Sequence, residues 1–231
     1  DVPIDPSFIS DFIGRDVYQV VESLEQMDGT LFNNSLMISL ASALSHRIMK
    51  DQNILKAQGF GSRIQTQACI ADVVDLGMIR SSDMVAIVGF FYDFVAKIAE
   101  VAREVRVLEL SPASDFDVFD CKSKQSNVKV FPATQNKEIL SKADVVIITG
   151  MTIANNTAPQ LLELAKNSRL VMMQGPTCSF YPKALFAAGV DLIGTMLFPT
   201  DEGFYNRFVN SRGYWYRDKG LKHMFISAND N

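Results

Sequence analysis

Hydroxyl, amide and glycine residues are concentrated in nine positions that directly follow a strongly apolar segment. The nine are Thr149-Gly150-Met151-Thr152-Ile153-Ala154-Asn155-Asn156-Thr157, and six of them are Thr, Gly or Asn. Such a segment presents hydroxyls, amides and backbone N–H groups together, which suits a polar or anionic ligand. The alternative is that these residues only form a turn and a helix cap. Thr157 with Gln160 three residues later predicts a capping box.

A second segment of small residues, Gly175-Pro176-Thr177-Cys178-Ser179, follows another apolar run. Its thiol could serve as a nucleophile or as a ligand for a soft metal. Because no histidine or acid lies nearby in the sequence, a buried thiol without a chemical role is the favoured interpretation of Cys178.

The turn Gly89-Phe90-Phe91 could also approach a ligand closely, because glycine permits a sharp turn before a helix N-terminus. The pattern is not Gly-x-Gly-x-x-Gly, since Phe91 and Phe94 occupy the later glycine positions. The phenylalanines disfavour a pyrophosphate there, and they offer a stacking surface instead. Glu109 lies 20 residues after Gly89, a spacing that keeps a ribose contact open. An exposed strand-end glutamate is the equal alternative.

Neither histidine of the chain, His46 or His223, lies in a motif, and no nucleophile–base–acid set or zinc spacing can be assembled. His46 ends a row with Ser35, Ser39 and Ser42 on one face of a predicted helix. We interpret the row as a solvated face or a close helix contact, with a pocket wall as the alternative.

The elements that position these residues form an α/β pattern. Apolar runs at 84–89, 105–110, 144–150, 169–175 and 190–194, and a weaker one at 129–130, alternate with helical segments. Apolar residues at every position are typical of strands that are buried on both faces. Strand–helix–strand alternation predicts a Rossmann-like parallel sheet flanked by helices. Ligands bind at the carboxyl ends of such strands, where all three segments lie.

The rest of the sequence predicts helices. Residues 1–80 read as a helical N-terminal segment, with Asn33-Asn34-Ser35 as a cap and a helix over 64–76. We therefore divide the chain into this segment and a Rossmann-like domain over 81–231. The aromatic region 204–216 contains a further helix and favours either a homo-oligomer interface or packing on its own sheet.

Charge and composition exclude several partners. The formal net charge is −4 and basic residues do not cluster, so neither nucleic acid nor an anionic membrane is expected. No apolar run is long and uncharged enough to span a bilayer, and the first residues lack a signal-peptide pattern. Three widely spaced cysteines, Cys69, Cys121 and Cys178, predict no disulfide framework and favour a reducing cytoplasm.

Four segments together resemble the putative heavy-metal chelation domain family, a group of uncharacterised prokaryotic proteins. They are Val85–Phe91, Leu108-Glu109, Ala143–Thr157 and Gln174-Gly175-Pro176-Thr177, and the likeness covers about residues 84–205. Residues 12–50 also resemble the helical end of an enolase-N-terminal-like domain, and we expect the small sheet that precedes those helices in the family to be missing here. The resemblance implies a Rossmann-like fold, a cleft at these loops and a role with a metal ion or metal chelate.

The resemblance implies site roles only for those residues of this sequence that match the family pattern. They are Gly89, Phe90, Glu109, Thr149, Thr152, Asn155, Thr157, Gly175, Pro176 and Thr177. Asn156 stands where the family pattern has glycine, and asparagine tolerates positive φ better than most residues.

Three functions follow as hypotheses. The first is binding, with or without turnover, of a small polar or anionic ligand such as a metal chelate or heterocycle at these loops. The second is an enzyme that uses a nucleoside-containing cofactor, S-adenosylmethionine or NAD, through Glu109. The third is a non-enzymatic oligomeric adaptor.

Overall fold

The computed structural model describes residues 10–65, 74, 77–89, 92–110, 126–211, 218 and 220–228. In these ranges it contains one eight-stranded sheet, in the order β1-β8-β7-β6-β5-β2-β3-β4. The strands are β1 Gly61–Gln65, β2 Met84–Val88, β3 Glu104–Glu109, β4 Val128–Pro132, β5 Val145–Thr149, β6 Leu170–Gln174, β7 Leu192–Leu197 and β8 Lys222–Ser227. Strands β2 to β7 pair in parallel, and β8 pairs antiparallel with both β7 and β1.

Helices lie on both sides of this sheet. They are α1 Val17–Glu25, α2 Leu31–Met49, α3 Gln52–Ala57, α4 Tyr92–Val101, α5 Asn136–Leu140, α6 Met151–Ala154, α7 Ala158–Ala165, α8 Lys183–Ala187 and α9 Glu202–Asn210, with 3-10 turns at Ala133–Gln135 and Pro176–Cys178. The predicted fold class, a Rossmann-like parallel sheet flanked by helices after a helical N-terminal region, is confirmed.

The core is continuous through the sheet because its central strands are apolar on both faces. Every residue of β2, β6 and β7 is buried. On one face, the core cluster includes Met49 of α2, Leu161 of α7 and Leu185 of α8. On the other face, Phe94 and Ile98 of α4 fill the core.

Aspartates fix the amino-terminal ends of the strands. The carboxylate of Asp144 accepts a hydrogen bond from the Met84 N–H at 2.8 Å, and Asp191 accepts one from the Val171 N–H at the same distance. Asp83 is buried and accepts from Arg169 at 2.6 Å. Because these side chains bind the first groups of neighbouring strands, the sheet edge opposite the predicted site is closed by charge-assisted bonds.

Several predicted elements differ in detail. All six predicted strands are present, but β8 and β1 were not predicted. Ile64 lies in β1, so the predicted helix over 64–76 does not begin there, and residues 66–73 and 75–76 lie outside the described residues. Thr30, not Asn33-Asn34-Ser35, caps α2, because its hydroxyl accepts the Asn33 N–H at 3.2 Å. The boundary at residue 80 between two domains stays a prediction. No helix in the described ranges is both long and apolar enough to cross a membrane.

The predicted helix of the aromatic region is α9, and its apolar residues divide between two environments. Phe204 is buried, with its ring centroid 6.1 Å from that of Phe198. Tyr205 and Val209 are exposed. Packing on the chain's own core therefore accounts for one side of α9, and the homo-oligomer stays a prediction. The aromatic residues at 214–216 lie outside the described residues.

Candidate functional site

The strand order reverses between β2 and β5, and the chain is closely packed at the carboxyl ends of these two strands. Gly89 follows β2 with φ +92°, which suits glycine, and a Cβ added there would lie 2.9 Å from Thr149 Cγ2. The predicted approach of Gly89 and Thr149 at the carboxyl edge is therefore present. Phe90 and Phe91 lie outside the described residues.

The loops that follow β5 and β6 are packed together in the same way. A Cβ on Gly150 would lie 2.7 Å from Cys178 Sγ and 3.0 Å from Thr177 Cβ. Gly175 has φ +126°, and its N–H donates to the Gly194 carbonyl. Glycines therefore let the loops that follow β2, β5 and β6 approach one another without side chains between them. Pro176 begins the 3-10 turn that carries Cys178 inward.

The polar side chains of the Thr149–Thr157 segment mainly bond within the segment itself. Thr152 is buried and its hydroxyl donates to the Thr149 carbonyl at 2.7 Å. Thr157 donates its hydroxyl to Asn155 Oδ1 at 2.6 Å and makes no side-chain cap, so the predicted capping box is wrong. Asn156 has φ +58°, the positive value that its position in the family pattern implied. These contacts favour the interpretation that much of this segment forms a turn.

Helix α2 lies across the exits of β5, β6 and β7. Near its start, the Asn34 amide donates to the Ala154 carbonyl at 2.8 Å. Near its end, the Ser45 hydroxyl accepts the Tyr181 N–H at 2.9 Å. Nineteen residues of helix are about 28 Å long, enough to pass several strands spaced about 4.8 Å apart. The N-terminal region thus forms a wall along the carboxyl edge.

A cleft remains between the end of α2 and the exit of β7. Two adjoining hollows of about 330 and 360 Å³ share His46 and the segment Leu197–Thr200, and we call them together the α2 cleft. Met49, Leu197 and Phe198 contribute its apolar surface. Its polar lining comes from α2, the β6 exit, the β7 exit and β8: Ser42, His46, Lys50, Ser179, Thr200 and Lys222.

The polar lining is basic and rich in hydroxyls. Lys50 directly follows α2 and Lys222 begins β8, opposite Leu197 in the sheet register. Asp218, two residues before Gly220 of the lining, is bound by Arg207 at 2.6 Å, and this pairing lowers the pKa of the Asp218 carboxyl. The α2 cleft therefore presents positive charge and hydrogen-bond donors around an apolar floor.

Other predicted site residues lie away from this cleft or are not available to it. Burial raises the pKa of the Cys178 thiol to about 12, so at neutral pH it is a protonated thiol packed on Gly150. Glu109 ends β3 and accepts the N–H of Leu110 at 3.1 Å. Within the described residues, no three His, Cys, Asp or Glu side chains gather to hold a metal ion.

A further cavity, about 400 Å³, lies at the opposite edge of the sheet between α7 and the loop after α8. Its charged groups are already paired. Glu163 pairs with Lys166, Arg169 pairs with Asp83, and Asp191 accepts a backbone N–H. It lies at the amino-terminal ends of the strands, away from the edge where open parallel sheets bind ligands.

Only some of the predicted site residues lie close together in the structure. Gly89, Thr149, Gly150, Gly175 and Thr177 come together as packed turns. The cleft adds Ser179, from a segment already singled out, together with Thr200, Lys50 and Lys222. The row that includes Ser42 and His46 supplies a wall of the cleft, which was the alternative interpretation of that row. Lys50 and Lys222 had no sequence signal, because they are single lysines distant in the chain.

Fold and cleft define a Rossmann-like protein in which helix α2 lies across the carboxyl edge of the sheet. The family model described as "Putative heavy-metal chelation" (DUF364) matches residues 72–214, so the chain belongs to that family. The predicted family resemblance is thereby confirmed.

Solved structures and a curated relative agree with this assignment. A DUF364 protein of unknown function from Desulfitobacterium hafniense is 18% identical, with a TM-score of 0.65, over 96% of this chain and 78% of the other. One from Pyrococcus horikoshii is 17% identical, with a TM-score of 0.66, over 92% and 76%. An uncharacterized protein of Methanocaldococcus jannaschii is 28% identical over 124 residues, 52% of this chain. The chain spans about half (48%) of that relative.

Proposed function

We propose that the chain binds a small polar or anionic ligand in the α2 cleft, and that a metal chelate is the ligand class that best joins this site to its family. The observation that carries the proposal is the cleft itself, an open space with an apolar floor and polar walls at the carboxyl edge of a parallel sheet. Small-molecule sites usually combine these features. The family description supplies the connection to metals.

The placement of α2 supports this cleft as the binding region. Asn34 and Ser45 anchor the helix to the loops after β5 and β6. His46, one turn from the buried Met49, is held by the same anchored helix. A rigid wall of this kind places ligand-contacting groups without an ordering cost on binding.

The nucleoside alternative has less support from the geometry. Glu109 ends β3, and β3 is four strands from β7 in the sheet order. At about 4.8 Å per strand, Glu109 lies about 19 Å from the cleft along the sheet. A cofactor bound through Glu109 would occupy a different part of the carboxyl edge from the α2 cleft.

The test is a substitution that fills the cleft. Ala43 is exposed on α2 and lines the cleft, so Ala43→Trp should occupy the space with little effect on the fold. Leu44 is the next residue, 55% exposed and outside the lining, so Leu44→Trp is the matched control.

Thermal-shift measurements and native mass spectrometry would use zinc chloride, ferric citrate and adenosine as probes. A probe at about 100 times its dissociation constant stabilises by about 2.7 kcal/mol. We expect ferric citrate to stabilise the wild type and the Leu44→Trp variant and to lose its effect on Ala43→Trp. Equal shifts in all three proteins would contradict a site in this cleft.

A further inference from the structure

We infer that the α2 cleft is an oxyanion site, which takes carboxylate or phosphate groups of its ligand and receives a metal only within an anionic complex. This inference rests on the proposed function, since it specifies the ligand of the same cleft. It is narrower, because a polar ligand without negative charge would satisfy the proposed function but not this inference.

The first observation is the charge of the lining. Lys50 and Lys222 line the cleft, and none of its lining residues is acidic. The whole chain has 26 acidic and 22 basic residues. A lining whose charged residues are all basic therefore differs from the charge composition of the chain as a whole. Two ammonium groups at one cleft attract an anion and repel a bare divalent cation.

The second observation is that these lysines are not used elsewhere. Among the described residues, neither Lys50 nor Lys222 has an ion-pair partner. Asp51, beside Lys50, accepts the N–H groups of Asn53 and Ile54 as the cap of α3. Asp218 is bound to Arg207. Asp51 and Asp218 are therefore engaged, while the lysine charges remain available to a ligand.

The third observation is the set of donors that surrounds the same space. The hydroxyls of Ser42 and Thr200 and the imidazole of His46 line the cleft with the two lysines. Hydroxyl, imidazole and ammonium groups can all donate to carboxylate or phosphate oxygens. The donors come from α2, the β7 exit and β8, so they surround a ligand rather than follow one surface.

A structural role offers a competing explanation for part of this pattern. Basic residues near the last turn of a helix stabilise its partially negative end, and His46 and Lys50 are so placed. Lys222 begins a strand and has no such role. Lys222 is therefore the residue that separates the two explanations.

The decisive probes have the same metal and opposite charge. The cobalt(III) complex of ethylenediaminetetraacetate is an anion, hexaamminecobalt(III) is a cation, and both exchange their ligands slowly. Citrate and pyrophosphate test carboxylate and phosphate without metal. Equilibrium dialysis would measure each probe against wild type, Ala43→Trp, Lys222→Gln, Lys50→Gln and the control Lys183→Gln, an exposed lysine outside the cleft.

We expect the anionic cobalt complex, and at least one of citrate and pyrophosphate, to bind the wild type and to weaken with added salt. Lys222→Gln should reduce the affinity about tenfold or more, the usual loss for a charged hydrogen bond, while Lys183→Gln has no effect. Ala43→Trp should abolish binding. Stronger binding of citrate than of pyrophosphate identifies a carboxylate ligand, and the reverse order a phosphate.

Two results would overturn the inference in different ways. In the first, adenosine or hexaamminecobalt(III) binds to the wild type and to Lys222→Gln but not to Ala43→Trp. This result would retain the cleft as a binding site and refute its preference for anions. In the second, no probe shows binding that Ala43→Trp abolishes. This result would refute both the proposed function and the oxyanion site. Circular dichroism of each variant would establish that the loss is not unfolding.

Discussion

Replacement of Gly89 by alanine tests the packing at the point where the strand order reverses. The residue has φ +92°, a conformation that costs an L-amino acid about 1–2 kcal/mol. The new Cβ would also lie 2.9 Å from Thr149 Cγ2 and 3.0 Å from Thr149 Cβ. Overpacking of this kind costs about 1–3 kcal/mol. We therefore expect Gly89→Ala to lower the free energy of unfolding by about 2–5 kcal/mol.

A second glycine separates the two contributions. Gly59 has a similar φ of +87°, and a Cβ there would meet no atom within 4 Å. Gly59→Ala should show the backbone cost alone, about 1–2 kcal/mol. Adding Thr149→Ser to Gly89→Ala removes the closest methyl group and should recover part of the difference.

Urea denaturation followed by circular dichroism would provide the free energies, with the double-mutant cycle isolating the contact. If Gly89→Ala costs no more than Gly59→Ala, the two exits are not as tightly packed as the structure indicates. If Thr149→Ser restores nothing, then the clash lies elsewhere. Either result would refute the reasoning about this turn.

Three further predictions concern buried polar groups. Asp83→Asn should destabilise by about 3 kcal/mol in urea denaturation, because it leaves the Arg169 charge without its partner. Thr152→Val should lower the free energy of unfolding by about 1 kcal/mol in the same assay and leave ferric citrate binding unchanged, because the hydroxyl donates to the Thr149 carbonyl. Burial lowers the pKa of His223 in the folded chain below its ordinary value of 6.5, so the unfolded chain binds the proton first as pH falls. The stability contribution of neutral His223 is full above that value and decreases as pH falls through 6.5, and His223→Gln should flatten this part of the stability–pH profile.

The central strands could be predicted because their burial is visible in the sequence. Val145 to Ile148 are all fully buried, and a continuous apolar run is what burial on both faces requires. β8 also contains an apolar run, Met224-Phe225-Ile226, but it is antiparallel and inserts between β7 and β1. Its pairing with β1 joins segments more than 150 residues apart in sequence, and Arg63, for example, pairs with Phe225. Local patterns carry no information on such pairing.

The predicted orientation of α2 shows a different limit. Apolar residues at helical spacing, Met37, Leu40, Ala41, Leu44 and Ile48, predict one stripe that faces the core. Leu44 is nevertheless 55% exposed, while Ile38, Ser45 and Met49 are buried. The buried face is rotated by about one residue because it is set by polar anchors as well as by apolar packing. Ser45 accepts the Tyr181 N–H, a partner 136 residues away. Amphipathicity alone could not identify this serine as a contact.

The candidate site differs from the prediction for a related physical reason. A polar residue contributes to binding when its hydrogen-bonding groups are left for a ligand, and the sequence does not show which groups are already bonded. Thr152 and Thr157 belong to the densest polar segment, yet their hydroxyls donate to Thr149 and Asn155. Lys222 belongs to no motif, yet it lines a cleft and lacks an acidic partner among the described residues.

The proposed cleft lies at the predicted carboxyl edge of the sheet, but beside β7 rather than at the Thr149–Thr157 segment. Parallel strands deliver their loops to one edge, and this follows from alternation of strands and helices. Which exits remain open depends on what covers them. Here α2 binds the β5 loop through Asn34 and the β6 loop through Ser45, and the α2 cleft lies where the helix ends, beside β7 and Lys222. The helix that closes two exits thus creates the wall of the third, so the N-terminal region and the sheet form the proposed site jointly.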